Sequence, residues 1–366
     1  MKPFREELLI VMMLGTVMMM LSECRLNPSI KETSAFSNVE YVKEFPIEIE
    51  AKCSKEIDLG RDNICAFTVC DSLMLCSTRE SQKYIKVLSW PGMRPLKEFI
   101  NKGNGPYELT SNLLFFEENV EKNGDDILLY YYDEKNSIFK INISKSLKQG
   151  SLVGNEAVNC VGNNVYCFTG SEDDGIIVSR IENSQKKINR YLYKNNEVFE
   201  NEILNSLNEI HIAASNIDYN ILGRHTIYHK QDKKIVEAFC VLNLINIYSL
   251  DGKFQKSICV GHKLDNLKNI ESMPYGNRPS SSYSFLKGYG NHFAAMYRFR
   301  TSKELLEGKR TPSEIRIFDW NGDPLCRIKL DKEISSFHID QERGEVVGMD
   351  INGIMYFYDI DLSFLT

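Results

Sequence analysis

His225 and His229, four residues apart, have the spacing of a metal-ligand pair. On a helix both imidazoles would share one face. Gly223 upstream and the β-branched and aromatic run HTIYH instead predict a strand, which sets them roughly 13 Å apart, too far to share a zinc ion. Glu172-Asp173-Asp174-Gly175 offers three carboxylates before a glycine but lacks the alternating ligand spacing of a calcium loop, and it reads as a hairpin turn. No Gly-x-Ser-x-Gly elbow or His-Glu-x-x-His motif occurs, and none of the six histidines sits in a recognisable nucleophile–base arrangement. No catalytic residue, metal ligand set or cofactor is expected, although paired carboxylates converging from distant strands leave no sequence signature.

Lys102-Gly103-Asn104-Gly105-Pro106-Tyr107-Glu108 is glycine-rich, yet it lacks the Lys-Ser/Thr and helix of a phosphate cradle. Gly103 and Gly105 are expected to permit an unusual backbone path between sheets, with Pro106 stiffening it and the Glu108 carboxylate accepting backbone N–H bonds. Trp90 and Trp320 both border turns, where they either pack strand ends or offer flat faces to a sugar. Residues 262–282 form a long irregular stretch holding Tyr275, Asn277 and Arg278, the candidate ligand-binding residues. The planar fork of Arg278 suits a carboxylate or phosphate, and equally suits clamping neighbouring sheets.

The elements that must position these residues are strands. Beyond residue 44 the apolar segments are short, β-branched or aromatic, and bounded by turn residues, among them Asn123-Gly124, Asp251-Gly252, Asn321-Gly322 and Asn352-Gly353. Several, such as DILLYYY and GIMYFYDI, are apolar on both faces and need cover on both sides. One helix is expected, over 197–209. Grouping strands in fours gives starts near 63, 111, 156, 210, 283 and 333, the spacing of propeller blades. Only three strands fit after residue 333, so a strand at 45–50 is expected to complete the last blade and close the ring. The predicted fold class is an all-β, six-bladed β-propeller whose last blade is closed by an N-terminal strand.

Residues 8–21 form an apolar run that as a helix would rise about 21 Å, short of a membrane core but suited to a signal peptide. It ends in Leu21-Ser22-Glu23-Cys24, which resembles a bacterial lipobox, with Glu23 where a small residue is usual. That resemblance implies a lipoprotein signal peptide over 1–23 and lipidation of Cys24; the composition that follows, rich in Ser, Asn, Glu and Lys, reads as a flexible tether over 24–40, ahead of the propeller domain over 41–366. The Lys102–Glu108 segment is similar to the G-x-G-P-x-E loop of TolB-like six-bladed β-propeller lipoproteins, and Tyr275-Gly276-Asn277-Arg278-Pro279-Ser280 is similar to a later loop of that family. The family implies export to the cell envelope and no established activity.

Net charge is −6, so no cationic excess exists to coat a phosphate backbone, and nucleic acid is not expected as a partner. The expected function is a monomeric, membrane-anchored, non-catalytic binding module for an envelope protein, peptide or glycan. The alternative is a metal-dependent hydrolase or lactonase with its site in the central channel. Of ten cysteines, the nine beyond Cys24 are expected to be mostly reduced and packed in strands. A Cys160–Cys167 pair across a turn at Asn163-Asn164 is the alternative for two of them.

Overall fold

The computed structural model describes residues 33–59, 64–78, 82–105, 108–109, 119–133, 137–154, 156–182, 187–210 and 219–365. Cys24, Pro106 and Tyr107 lie outside the described residues, as does a strand expected over 112–116.

Six small sheets form a ring, a six-bladed β-propeller. Blade 1 holds Ile64–Cys70, Leu73–Thr78, Lys83–Ser89 and Pro95–Lys102, with the short strand Glu108–Leu109 added in parallel at its edge. Blade 2 holds Val120–Asn123, Asp126–Asp133, Ser137–Asn142 and Glu156–Cys160; blade 3 holds Val165–Ser171, Gly175–Glu182, Lys187–Lys194 and Glu197–Phe199. Blade 4 is built from Arg224–His229, Lys234–Phe239, Ile245–Ser249 and Gln255–Val260, and blade 5 from Pro279–Gly288, His292–Thr301, Glu314–Asp319 and Pro324–Leu330. Blade 6 begins with Ser336–Asp340, Glu345–Met349 and Ile354–Asp359.

Antiparallel neighbours give the ring two distinct ends. The first and third strands of each blade finish at one end, here the mouth; the second and fourth finish at the other, the base. The four Asn-Gly and Asp-Gly pairs all turn hairpins, each glycine at positive φ.

The two-sided apolar strands are explained by the seams between blades, each of which contains its own core. Leu75, Val87 and Phe99 of blade 1 meet Leu129 and Ile141 of blade 2; Phe168 and Val178 of blade 3 meet Tyr132 and Ile138 of blade 2. Ile247 and Ile258 of blade 4 meet Phe293 and Phe318 of blade 5, whose other face packs on Phe337 and Tyr358 of blade 6. Phe67 and Met74 of blade 1 pack on Val347 and Phe357 of blade 6, closing the ring.

The N-terminal segment closes more than the last blade. Val39–Val42 adds in parallel to Gln255–Val260 of blade 4, Ile47–Ala51 adds in parallel to Pro324–Leu330 of blade 5, and Lys55–Asp58 adds antiparallel to Ile354–Asp359 of blade 6. The strand expected at 45–50 therefore belongs to blade 5, and the fourth strand of blade 6 is Lys55–Asp58. The short polar stretch 52–54 lets one chain step from blade to blade along their outer edges.

Four further expectations are revised. Residues 33–40, assigned to the tether, pack against the ring: Phe36 is buried with Ile177 and Tyr248 at the seam of blades 3 and 4. The strand expected to open blade 3 at 156 is the outer strand of blade 2, and blade 3 opens at Val165. Cys160 and Cys167 therefore sit in different sheets, and all nine described cysteines are free thiols. The helix expected over 197–209 is a short strand, Glu197–Phe199, followed by helix α1, Glu202–Asn208, whose N-cap Asn201 accepts from the amides of Ile203 and Leu204.

Candidate functional site

At the mouth, the ends of the first strands surround a cavity of about 550 Å³, within the range of ligand sites. Thr68–Cys70, Asn119–Lys122, Thr169–Glu172, Ile227–Lys230 and Lys287–Gly290 contribute from five consecutive blades, and the rings of Tyr130 and Trp320 complete the wall.

Lys287 of blade 5 reaches past blade 6 to blade 1. Its Nζ donates to Thr68 Oγ1 (3.1 Å) and the Val69 carbonyl (3.4 Å) of blade 1 and lies 3.3 Å from His338 Nδ1 of blade 6. Burial first, then the neighbouring ammonium, hold His338 far below the usual histidine range, so the neutral ring accepts a hydrogen bond from the lysine ammonium at Nδ1. Blade 6 thus supports the site through His338. The edge of Trp90 meets the His338 ring at 5.7 Å, while its Nε1 donates to Asp340 Oδ2 (3.1 Å).

Trp320 lies at the seam of blades 4 and 5. It stacks on His229 (4.2 Å between ring centres, 12° between planes) and donates Nε1–H to the Tyr289 carbonyl at 3.1 Å. Gly288 permits this arrangement, since a Cβ there would stand 3.1 Å from the indole. The two tryptophans do not form one sugar platform. Trp90 secures the junction of blades 1 and 6, and Trp320 forms part of the cavity wall.

Both signs of charge surround the opening. Tyr130 Oη donates to Glu172 Oε1 (3.0 Å), which also accepts from Lys140 Nζ (2.8 Å); Lys230 Nζ donates to Glu121 Oε1 (3.1 Å), and Lys122 pairs with Asp71 (2.7 Å). Burial and the Glu172 and Glu121 carboxylates hold the Tyr130 phenol protonated, well above its usual range. Burial, opposed by Lys287, likewise raises the Cys70 thiol, which suppresses thiolate chemistry at the wall.

The acidic run 172–174 forms the first hairpin of blade 3, as its composition predicts. Its carboxylates diverge: Glu172 faces Tyr130, while Asp174 Oδ2 accepts from Tyr228 Oη (2.8 Å) and Ser171 Oγ (3.1 Å). His225 and His229 lie on one strand, Arg224–His229. Among the described residues no group of three or more His, Cys, Asp or Glu side chains is arranged to hold a metal ion.

The other sequence candidates lie at the base. Gly103 has φ +154° and a Cβ there would overlap the Glu108 carboxylate, whose Oε2 accepts from the Gly105 amide at 3.0 Å. Tyr275 and Asn277 form a 3₁₀ turn, with Tyr275 exposed. Arg278 directs Nε to the Met273 carbonyl (2.9 Å) and Nη2 to the Glu271 carbonyl (3.2 Å), so its fork binds its own loop. The mouth residues were missed because they come from five separated segments. Their shared signal is position, at or just beyond the end of a first strand.

No family model matches the sequence, and no curated protein is similar to it. Among solved structures, the chain is similar to a DUF4221 family member from Bacteroides vulgatus at 12% identity and a TM-score of 0.52, covering 84% of this chain and 97% of that one. It is also similar to a Bacteroides fragilis protein described provisionally as exported, at 11% identity and a TM-score of 0.49, with coverage of 85% and 98%. At 12% identity the likeness to the DUF4221 member bears on the fold alone.

Proposed function

We propose that the protein is an exported, lipid-anchored propeller of TolB-like kind that acts as a non-catalytic binding module in the bacterial envelope. Its ligand is a peptide segment of an envelope protein, held at the mouth. The observation carrying this reading is the convergence of aromatic walls and charges of both signs from five blades around a 550 Å³ cavity. Tyr130, Tyr228 and Trp320 offer apolar area, Glu121 and Glu172 face donors, and Lys122 and Lys230 face acceptors. A metal-dependent hydrolase would need a ligand set, and the described residues assemble none.

A thermal-shift screen of residues 25–366 against peptides, glycans and divalent metals tests this reading, since a ligand of the folded state raises the melting temperature. Peptides are expected to stabilise the wild type and to lose that effect in Lys230→Glu. Stabilisation by glycans alone changes the ligand class. Stabilisation by a divalent metal together with ester or lactone cleavage overturns the non-catalytic reading.

A further inference from the structure

The base end carries a second surface. The described chain begins there: Thr33 is buried, and its Oγ1 accepts from the Leu267 amide (3.3 Å) at the start of helix α2, Leu267–Ser272. Immediately after α2 the surface becomes apolar. Met273 and Tyr275 are exposed, and the turn Tyr275–Asn277 packs against helix α3, Ser302–Leu306, through a bond from the Ser302 amide to the Arg278 carbonyl (2.9 Å). Leu305 and Leu306 of α3 are 48% and 74% exposed, and Phe299 stands beside them at the base end of its strand. Ile351, 56% exposed, occupies the base hairpin of blade 6, next to Asp350, which faces Arg310 at 3.8 Å.

Met273, Tyr275, Phe299, Leu305 and Leu306 belong to the turn, the helix packed on it and the strand that leads into that helix; of the other exposed large apolar side chains described, Ile351 is on blade 6, and Leu96, Val198 and Phe199 lie on the outer strands of blades 1 and 3. Isolated apolar side chains on a surface are ordinary, but a contiguous group needs a partner. The rim cations do not suggest a charged one, because Lys303 faces Glu307 (3.8 Å), Lys309 pairs with Glu304, and Arg310 faces Asp350.

Tether length selects the partner. Eight residues lie between Cys24 and Thr33, and the nine chain steps reach at most about 30 Å. An acyl chain on Cys24 would hold the base near the membrane, at high effective concentration. We infer that the base patch of Met273, Tyr275, Phe299, Leu305 and Leu306 rests in the interfacial layer of a lipid bilayer, with the mouth facing away. This inference rests on the proposed lipid anchor. Leucine and phenylalanine enter the acyl boundary while the tyrosine ring sits at headgroup level.

The natural positions of the tryptophans make the orientation measurable. Mature lipoprotein is reconstituted in phosphatidylcholine vesicles with or without brominated acyl chains. Trp90 and Trp320 lie at the mouth end, so wild-type emission is expected to remain unquenched. Leu306→Trp and Tyr275→Trp, at exposed positions, are each expected to gain emission that brominated lipid quenches. In the unmodified protein, vesicles are expected to slow tryptic cleavage after Lys309 and Arg310 but not after Lys233 at the mouth.

Unquenched variant emission and unslowed base cleavage, in protein whose acylated Cys24 is verified by mass, overturn the orientation and leave the anchor standing. A mass showing no acyl group removes the anchor instead. The same variants are then held on nickel-chelating lipid by six histidines placed before residue 25, where quenching supports the orientation and its absence overturns it. Quenching of Trp90 and Trp320 in the wild type overturns it as well. Self-association abolished by Leu306→Asp, without lipid quenching, assigns the patch to a second copy and overturns the proposal.

Discussion

Arg190 of blade 3 donates Nε–H to Oε1 and Nη2–H to Oε2 of Glu237 in blade 4, both at 2.6 Å, with neither side chain appreciably exposed. Arg224 Nε (3.1 Å) and Tyr248 Oη (3.1 Å) donate to the same Oε1, and Arg224 Nη2 continues to Ser179 Oγ (2.9 Å). One carboxylate thus balances two buried guanidinium groups inside the seam of blades 3 and 4. Replacing Glu237 by Gln or Ala leaves both cations without their counter-charge. Loss of one partner from such a buried cluster costs roughly 3–5 kcal/mol, to be read as a lower urea midpoint.

The same carboxylate sets a pH dependence. Burial opposes its ionisation, but Arg190 and Arg224 outweigh burial and draw Glu237 from an ordinary value near 4.5 down to about 2. A group depressed on folding stabilises fully above its unfolded value and loses that contribution as pH falls through its folded one. The melting-temperature gap between wild type and Glu237→Gln is therefore expected to be widest above pH 4.5 and to narrow from there to about pH 2. A gap constant over that range would refute the linkage.

The N-terminal strands predict graded effects of deletion. Removing Lys55–Asp58 bares the third strand of blade 6 at the blade that closes the ring, and cooperative melting is expected to be lost. Ile49→Pro disturbs the strand added in parallel to blade 5, where four strands remain, and removes a side chain packed on the core of blades 5 and 6; a lowered but still cooperative transition is expected.

Thiol titration tests the seam cores. Cys160 is the exposed cysteine among the nine, while burial pushes Cys259 and Cys326 up to about 12. An aromatic disulfide reagent should consume Cys160 rapidly in the native protein, the part-exposed Cys53, Cys65, Cys70 and Cys240 more slowly, and the buried Cys76, Cys167, Cys259 and Cys326 only on denaturation. Far fewer than nine in total would reveal disulfides.

Gly288→Ala tests the wall of the mouth. The added methyl stands 3.1 Å from the Trp320 ring, so the indole, stacked on His229, or the backbone must give by a few tenths of an ångström. Overpacking of this kind costs roughly 1–3 kcal/mol, and it should shift the tryptophan emission and weaken any peptide stabilisation.

Much of the propeller was legible because its signals are local. Asn321-Gly322 and Asn352-Gly353 announce hairpins through the backbone of two residues, and GIMYFYDI announces a strand covered on both faces. Pairings across the ring carry no such signal. Nothing in IEIEA distinguishes the edge of blade 5 from that of blade 6, because its partner Cys326–Leu330 lies almost the whole chain away. Glu156–Cys160 and Val165–Ser171 also look alike in sequence, and only the packed seam divides them between blades. At the mouth, Lys287 meets Thr68 and His338 through closure of the ring, so its bonds become readable only when the ring is complete.

The edge strands also impose a timetable on synthesis. Val39 waits for Ser257, Ile47 for Cys326 and Lys55 for Phe357, so the earliest-made part of the propeller finds its places among the last. Contacts so distant along the chain form late and slowly. Until the final blade has been translated, Lys55–Asp58 has no seat and the ring stays open. A polypeptide delayed in this way remains threadable through a narrow passage for most of its manufacture and locks only after its tail arrives.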